Sequence, residues 1–118
     1  MKQEDKELLL KDLCARLPYR VKLQLYNGEL DNDVLNSIDT EEYIIVNGKD
    51  DIEDIKPYLF HLSSMTDKQC REFLSTCNGY CDYYWTEETF DWLNKNHFDY
   101  RGLIEKGLAI DATGLNIY

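Results

Sequence analysis

The sequence lacks a long apolar run. Its longest unbroken runs, residues 8–10 and 43–46, fall far short of the ~20 residues that a membrane-spanning helix needs. The first residues mix charges of both signs and do not form the apolar core of a signal peptide. We therefore predict a cytoplasmic protein without membrane association.

A basic excess is also missing. The 118 residues include 23 acids against 13 Lys and Arg, for a net charge of −10, and residues 18–62 carry ten of the acids. Such a field repels a phosphate backbone, which argues against direct binding to DNA or RNA. The acidic candidates are Asp31, Asp33, Asp50, Asp51, Glu53 and Asp54. Two interpretations stay open for them: a solvated face, the usual role of such runs, and an acidic DNA mimic that captures a DNA-binding protein.

Motifs that carry chemistry are scarce. The six glycines are scattered singly, so no phosphate-cradling loop is present. The four cysteines are Cys14, Cys70, Cys77 and Cys81. Their gaps do not match the paired spacing of zinc sites, and without an export signal we predict reduced thiols. We predict no metal, no cofactor and no enzymatic activity; a catalytic role for Cys81 or His97 is the lowest-ranked alternative.

The sequence does contain a strand pattern that ends in a turn signal. Val21, Leu23 and Leu25 alternate with polar residues, which is the period of a half-buried strand. Asn27-Gly28 follows at once, and both residues tolerate the positive φ of tight hairpin turns. The pattern predicts a β-hairpin.

Residues 18–62 as a whole predict a β meander. Further turns are expected at 39–42 and 47–48, a short turn at 52–55, and an edge strand at 58–62. These elements predict a bent antiparallel sheet of four to five strands, with a curvature that approaches a barrel.

A helix is predicted before this sheet. Within residues 1–17, apolar side chains recur every three or four positions, and charged ones such as Asp12 and Arg16 occupy the remaining positions. Pro18 is expected to end the helix because it cannot donate the next hydrogen bond. The apolar side of the helix should lie on the sheet.

Residues 63–110 predict two to three further helices. Thr66 begins the first with a capping box, Thr86 begins the second, and a short third one ends at Gly107. The buried side of the first of these helices is predicted to contain Cys70, Phe73, Leu74 and Cys77. Residues 111–118 are interpreted as a tail. The chain is therefore predicted to be a single α+β domain.

An aromatic-rich region provides a second candidate surface. Its members are Tyr80, Tyr83, Tyr84, Trp85, Trp92 and Arg101. Tyr and Trp bury a large area and keep a polar tip, so they anchor partner surfaces and ligand pockets as well as cores. Three interpretations stay open: filling of the seam between helices and sheet, a partner surface, and a pocket for a planar, nucleotide-like ligand.

Four segments, residues 8–19, 52–59, 63–66 and 90–110, together resemble a family of small uncharacterised proteins of gut anaerobic bacteria and of their phages and integrated elements. The resemblance implies a cytosolic accessory protein of phage or mobile-element type. It implies no activity and no functional residues.

These observations favour a non-enzymatic binding or regulatory protein that engages a host protein. The alternatives are a binder of a small nucleotide-like ligand and an acidic DNA mimic.

Overall fold

In the computed structural model, the described part of the chain has an α+β fold with a helix at the N-terminus, two short sheets and two further helices. The structure describes residues 2–24, 52–77 and 85–118, and the backbone of the strand residues 30–31, 38–39, 44–45 and 50–51. Predictions that lie outside the described residues concern Leu25, Asn27, Gly28, Asp33, Asn47, Gly48, Tyr80, Cys81, Tyr83 and Tyr84.

Helix α1 (Gln3–Arg16) ends as predicted before Pro18, which lies in the 3₁₀ turn Leu17–Tyr19. The side that packs on the core contains Leu9 and Leu13, which are fully buried. Asp12 and Arg16 are fully buried as well, so their prediction as polar outer positions is wrong. They share the face of the leucines because positions three and four apart on a helix are neighbours.

The predicted hairpin is confirmed in its pairing. Strands β1 (Leu23–Gln24) and β2 (Leu30–Asp31) are antiparallel, with Leu23 opposite Asp31. Val21 and Leu23 are fully buried, whereas Lys22 is only half-buried, so the strand period is also confirmed.

Strands β3 (Ile38–Asp39), β4 (Ile44–Ile45) and β5 (Asp50–Asp51) form a second antiparallel sheet. A 3₁₀ turn, Ile52–Asp54, follows β5 and buries Ile52. This turn separates the second sheet from the next strand. The single predicted sheet is therefore divided into two among the described residues.

Strand β6 (Lys56–His61) is the centre of the first sheet, and its prediction as an edge strand is wrong. It pairs antiparallel with β1 and parallel with β7 (Phe98–Asp99) and β8 (Ile110–Asp111). The sheet is therefore mixed, not purely antiparallel, and it does not close into a barrel. The predicted tail begins inside this sheet, because Asp111 belongs to β8.

Both edges of β6 are used. Tyr58 N–H donates to Lys22 O at 2.9 Å and Phe60 N–H donates to His97 O at 2.8 Å. Alternate amides of a strand point to the same edge, so β1 and β7 follow one another along one side. Leu59 O accepts from Ala112 N–H at 2.8 Å on the other side, where β8 lies. Pro57 suggested an edge strand because it has no N–H to donate. In the structure it is the second residue of β6 and its nitrogen faces the side of β8, whose pairing with β6 begins one residue later, at Tyr58.

Helices α2 (Asp67–Thr76) and α3 (Glu87–Lys95) pack against each other. The predicted capping box of Thr66 and Gln69 is confirmed, and Thr86 caps α3 in the same way. The predicted third helix is a turn instead, closed by a hydrogen bond from Gly107 N–H to Ile104 O at 3.1 Å. Gly107 has a φ of +74°, which a glycine adopts without strain.

Candidate functional site

Eight aromatic rings form a continuous cluster from the helices to the sheet. The aromatic cluster consists of Phe90, Tyr100, Trp85, Phe73, Trp92, Phe98, Phe60 and Tyr118, in the order of their contacts. Successive ring centroids lie 5.3 to 6.3 Å apart, within the range of favourable aromatic pairs. Trp85 and Trp92, predicted as partner or ligand residues, thus lie in the seam between helices and sheet.

The aromatic cluster reaches the surface at α3. Phe90 is 39% exposed, although its ring lies 5.3 Å from Tyr100 and 5.5 Å from Trp85. Three exposed acids, Glu87, Glu88 and Asp91, lie on the same helix, and Glu87, three residues before Phe90, is its neighbour on the helix surface. We call Glu87, Glu88, Phe90 and Asp91 the α3 face.

Two arginines hold Tyr100 from the side of α1. The guanidinium carbon of Arg101 lies 4.7 Å from the ring centroid of Tyr100, and that of Arg16 lies 5.4 Å from it. Both distances are within cation–π range. Arg101 was predicted to close a ligand pocket, but it packs on Tyr100 with only 15% of its side chain exposed.

Asp12 is the counter-ion of both arginines. Its Oδ2 accepts from Arg16 Nε at 2.8 Å, and its Oδ1 lies 3.4 Å from Arg101 Nε, close enough for an ion pair but not aligned for a hydrogen bond. Arg16 also donates to Phe98 O at 2.5 Å, which ties α1 to β7. The trio has a formal charge of +1 in a buried setting. The sequence carried one signal for it, the four-residue spacing of Asp12 and Arg16 on the leucine side of α1.

Asp99 shapes the turn after β7. Its carboxylate accepts from the backbone N–H groups of Arg101 at 3.3 Å, Leu103 at 3.0 Å and Ile104 at 2.9 Å. The carboxylate is buried, and these donors replace the water that it loses. Asp99 thereby fixes the backbone that presents Tyr100 and Arg101.

The hydroxyl of Tyr118 bridges strand β6 and the residue that precedes β1. It accepts from Lys22 N–H at 2.8 Å and donates to Tyr58 O at 2.8 Å, so residues 111–118 fold back onto the sheet and are not a free tail. The Lys22 ammonium donates to Ile117 O beside it. Burial raises the pKa of Tyr118 well above its ordinary value.

His97 stacks on Tyr118 with a centroid distance of 3.8 Å and has a φ of +62°. Burial lowers the pKa of His97 to about 4, and the charges of Arg16 and Lys22 act in the same direction. The imidazole is therefore neutral at physiological pH. Its Nδ1 is buried without a hydrogen-bond partner.

The predictions for the cysteines are confirmed in part: Cys77 is buried as expected, and Cys14 and Cys70 are free thiols. Cys77 is disulfide-bonded, so the expectation of reduced thiols is wrong for it, while Cys14 and Cys70 are free and exposed. Cys70 and Leu74 are exposed, so their predicted burial is wrong. The inner side of α2 instead carries Phe73, which packs against Trp85 and Trp92. Within the described residues, no group of three His, Cys, Asp or Glu side chains is arranged to bind a metal.

Two cavities open beside β6. The first, of about 290 Å³, is lined by His61, Leu62, Ser63, Asp99, Tyr100, Gly102 and Glu105. The second, of about 220 Å³, is lined by Phe60, Ser64, Thr66, Gln69, Phe98, Thr113 and Gly114. Neither of these two is lined by Trp85, Trp92 or Arg101. The predicted aromatic pocket and the cavities are thus at different places.

The predicted acidic residues are only partly described. Glu53 forms an ion pair with Lys6 at 2.7 Å, and the hydrogen bond from Lys6 lowers the pKa of Glu53. Asp54 is exposed. For Asp31, Asp50 and Asp51 the structure describes the backbone in β2 and β5.

No family model, curated protein or solved structure matches the chain. The resemblance to small proteins of gut bacteria and their phages therefore stays a prediction. In the described part of the chain, no helix has the length and apolar character needed to cross a bilayer.

Proposed function

We propose that the chain is a non-enzymatic binding protein that engages a protein partner of the host through the α3 face. The observation that carries the proposal is the exposed ring of Phe90. A large aromatic side chain that remains 39% exposed offers apolar area for a partner to bury.

Phe90 is held in place before any partner arrives. Tyr100 and Trp85 flank its ring, and Tyr100 is in turn fixed by the two arginines and by a hydrogen bond from its hydroxyl to Asn94 Oδ1 at 2.9 Å. A side chain that is already ordered loses little conformational entropy on binding, so more of the contact energy remains as affinity.

The charge of the surface defines the partner. Glu87 lies next to Phe90 on α3, Glu88 and Asp91 are exposed elsewhere on this helix, and the whole chain carries a net charge of −10. Such a surface attracts a positively charged partner and raises its association rate at low salt. The partner segment that fits is an apolar side chain flanked by Lys or Arg.

The test is a selection of displayed random peptides on the immobilised full chain. We expect enriched peptides that combine an apolar residue with Lys or Arg. They should bind Phe90→Ser about tenfold more weakly or worse, because truncation of a central aromatic anchor commonly has at least this effect. Their affinity for the wild type should also fall as salt rises.

The matched control is Leu74→Ser, which removes an exposed apolar side chain from α2, outside the α3 face. It should leave peptide affinity unchanged. Enriched peptides without basic residues, equal binding to Phe90→Ser and the wild type, or an equal loss with Leu74→Ser would each overturn the proposal. A selection that enriches no peptide would do the same.

A further inference from the structure

We infer that the second cavity is a binding site for an uncharged heterocycle of nucleobase size. This site is separate from the α3 face and does not depend on the proposed function. We call it the neutral pocket.

None of the described residues that line the neutral pocket is charged, although 36 of the 118 residues of the chain are charged at pH 7. An anion that entered it would find no counter-ion among these residues and would be repelled by the Asp111 carboxylate, which accepts from Thr113 N–H at 2.9 Å. The lining therefore selects neutral ligands and rejects a phosphate.

Two phenyl rings provide an apolar wall. The centroids of Phe60 and Phe98 lie 6.0 Å apart with their planes at 52°. Phe98 is rigidly held, because its other neighbour Trp92 stacks on it at 5.6 Å with nearly parallel planes. Phe98 is only 1% exposed, so a flat ring would pack mainly against the partly exposed Phe60, with Phe98 fixing the position of that ring.

The polar rim can both donate and accept. In the capping box, Gln69 Oε1 accepts from Thr66 N–H and Thr66 Oγ1 accepts from Gln69 N–H. The acceptor oxygens are thus engaged, and the amide hydrogens of Gln69 and the hydroxyl hydrogen of Thr66 are the groups that can serve a ligand.

Two other hydroxyls of the rim, those of Ser64 and Thr113, can accept hydrogen bonds from a ligand. Ser64 Oγ donates to His61 O at 2.6 Å, and the Thr113 hydroxyl is hydrogen-bonded to the carboxylate of Asp111. With their hydrogens committed, both hydroxyls have lone pairs left to accept. A ligand with acceptors on one edge and donors on another matches this rim, and nucleobases have such edges.

The volume of the neutral pocket limits the size of the ligand that it can hold. About 220 Å³ is below the range of roughly 300 to 1,000 Å³ typical of pockets for drug-sized ligands. One ring or a fused pair of rings fits this space, whereas a complete nucleotide exceeds it and carries the excluded charge.

The experiment is an amide NMR titration of the full chain with adenine, adenosine, AMP and methyl glucoside. We expect adenine to shift the amides of Gln69, Thr113 and Gly114, and AMP to bind about tenfold more weakly or worse, since its charge has no partner in the pocket. Adenosine binding as tightly as adenine would support a nucleoside as the source of the base, and weaker binding would support the free base.

The decisive variant is Gln69→Glu. Glutamate at this position preserves the capping box, so α2 should keep its helical content, but it places a carboxylate in the neutral pocket. Adenine binding should fall about tenfold or more. Gln3→Glu makes the same change on the exposed side of α1 and should have no effect.

Four results would overturn the inference. They are AMP binding as tightly as adenine, binding of the glucoside without adenine, undiminished binding by Gln69→Glu, and the absence of shifts at the pocket amides with every probe.

Discussion

Removal of the Asp12 charge tests the buried trio of Asp12, Arg16 and Arg101 directly. In Asp12→Asn the side chain keeps its shape and one oxygen, which can still accept from Arg16 Nε if the amide NH₂ group turns toward Arg101, but both arginines lose their counter-ion. The side chains of Asp12 and Arg16 are fully buried and that of Arg101 is 15% exposed, so water cannot replace the lost charge. Breaking a buried ion pair from one side costs about 3–5 kcal/mol, and the retained acceptor places the loss near about 3 kcal/mol.

A loss of about 3 kcal/mol is a large part of the free energy of unfolding of the whole protein. Domains of this size are stable by about 5–15 kcal/mol. With an unfolding entropy of about 2.1 cal/mol/K per residue, 118 residues give about 0.25 kcal/mol/K, so a loss of about 3 kcal/mol lowers Tm by about 12 °C.

The assay is urea unfolding at low and at high salt. The matched control is Glu53→Gln, which neutralises a carboxylate whose ion pair with Lys6 is equally short but 45% exposed. The control should leave the urea midpoint nearly unchanged, because exposed ion pairs contribute little. The loss in Asp12→Asn should persist at high salt, since buried pairs are screened much less. A loss below about 1 kcal/mol, or one that disappears in salt, would refute the reasoning.

Two further predictions concern the end of the sheet. Tyr118→Phe should reduce the free energy of unfolding by about 1–2 kcal/mol, because the amide of Lys22 and the part-buried carbonyl of Tyr58 both lose the hydroxyl that joins them. The control is Tyr19→Phe, which removes a hydroxyl with one exposed hydrogen bond of 3.3 Å to Asp91, and an equal effect of both variants would contradict this account. The pH dependence follows from His97, whose pKa of about 4 lies below its ordinary value of 6.5. Between these values the unfolded chain binds more protons, so stability should be complete above about pH 6.5 and fall on acidification by at most about 1.4 kcal/mol per pH unit. His97→Asn, which tolerates the positive φ, should flatten this slope in urea midpoints measured from pH 4 to 7, and an unchanged slope would assign it to other groups.

The helix starts were predictable because their chemistry is local. Thr66 and Gln69 lie three residues apart in sequence and satisfy each other's backbone N–H groups, so no distant contact is needed to recognise them. The end of α1 at Pro18 and the alternation of Val21 and Leu23 were predictable for the same reason.

The centre of the sheet was not predictable in this way. Strands β7 and β8 have two residues each, which is too short for a period-two pattern, and their partner β6 lies far away in the chain. The burial of Asp12 and Arg16 is hidden for a related reason. A charged side chain on a helix is usually solvated, and besides the pairing of Asp12 with Arg16 the partners that make this burial favourable, Arg101, the Phe98 carbonyl and the Tyr100 ring, are distant in sequence. The candidate site was the least predictable part, because sequence alone does not show which rings of the aromatic cluster are buried and which are exposed.

The position of β6 also sets the order of events during synthesis. His61 ends β6 and Ile110 begins β8, 49 residues later (110 − 61), so at about 5–20 residues per second the ribosome needs roughly 2–10 s to supply the second side of this strand. Throughout that interval a strand rich in apolar side chains has an open edge, the situation that invites association between nascent chains. Lys56 and Pro57 stand at its first two positions, and both residue types oppose such pairing. Pro57, which suggested an edge strand, thus opposes pairing between chains during the time in which the central strand β6 still has an unpaired edge.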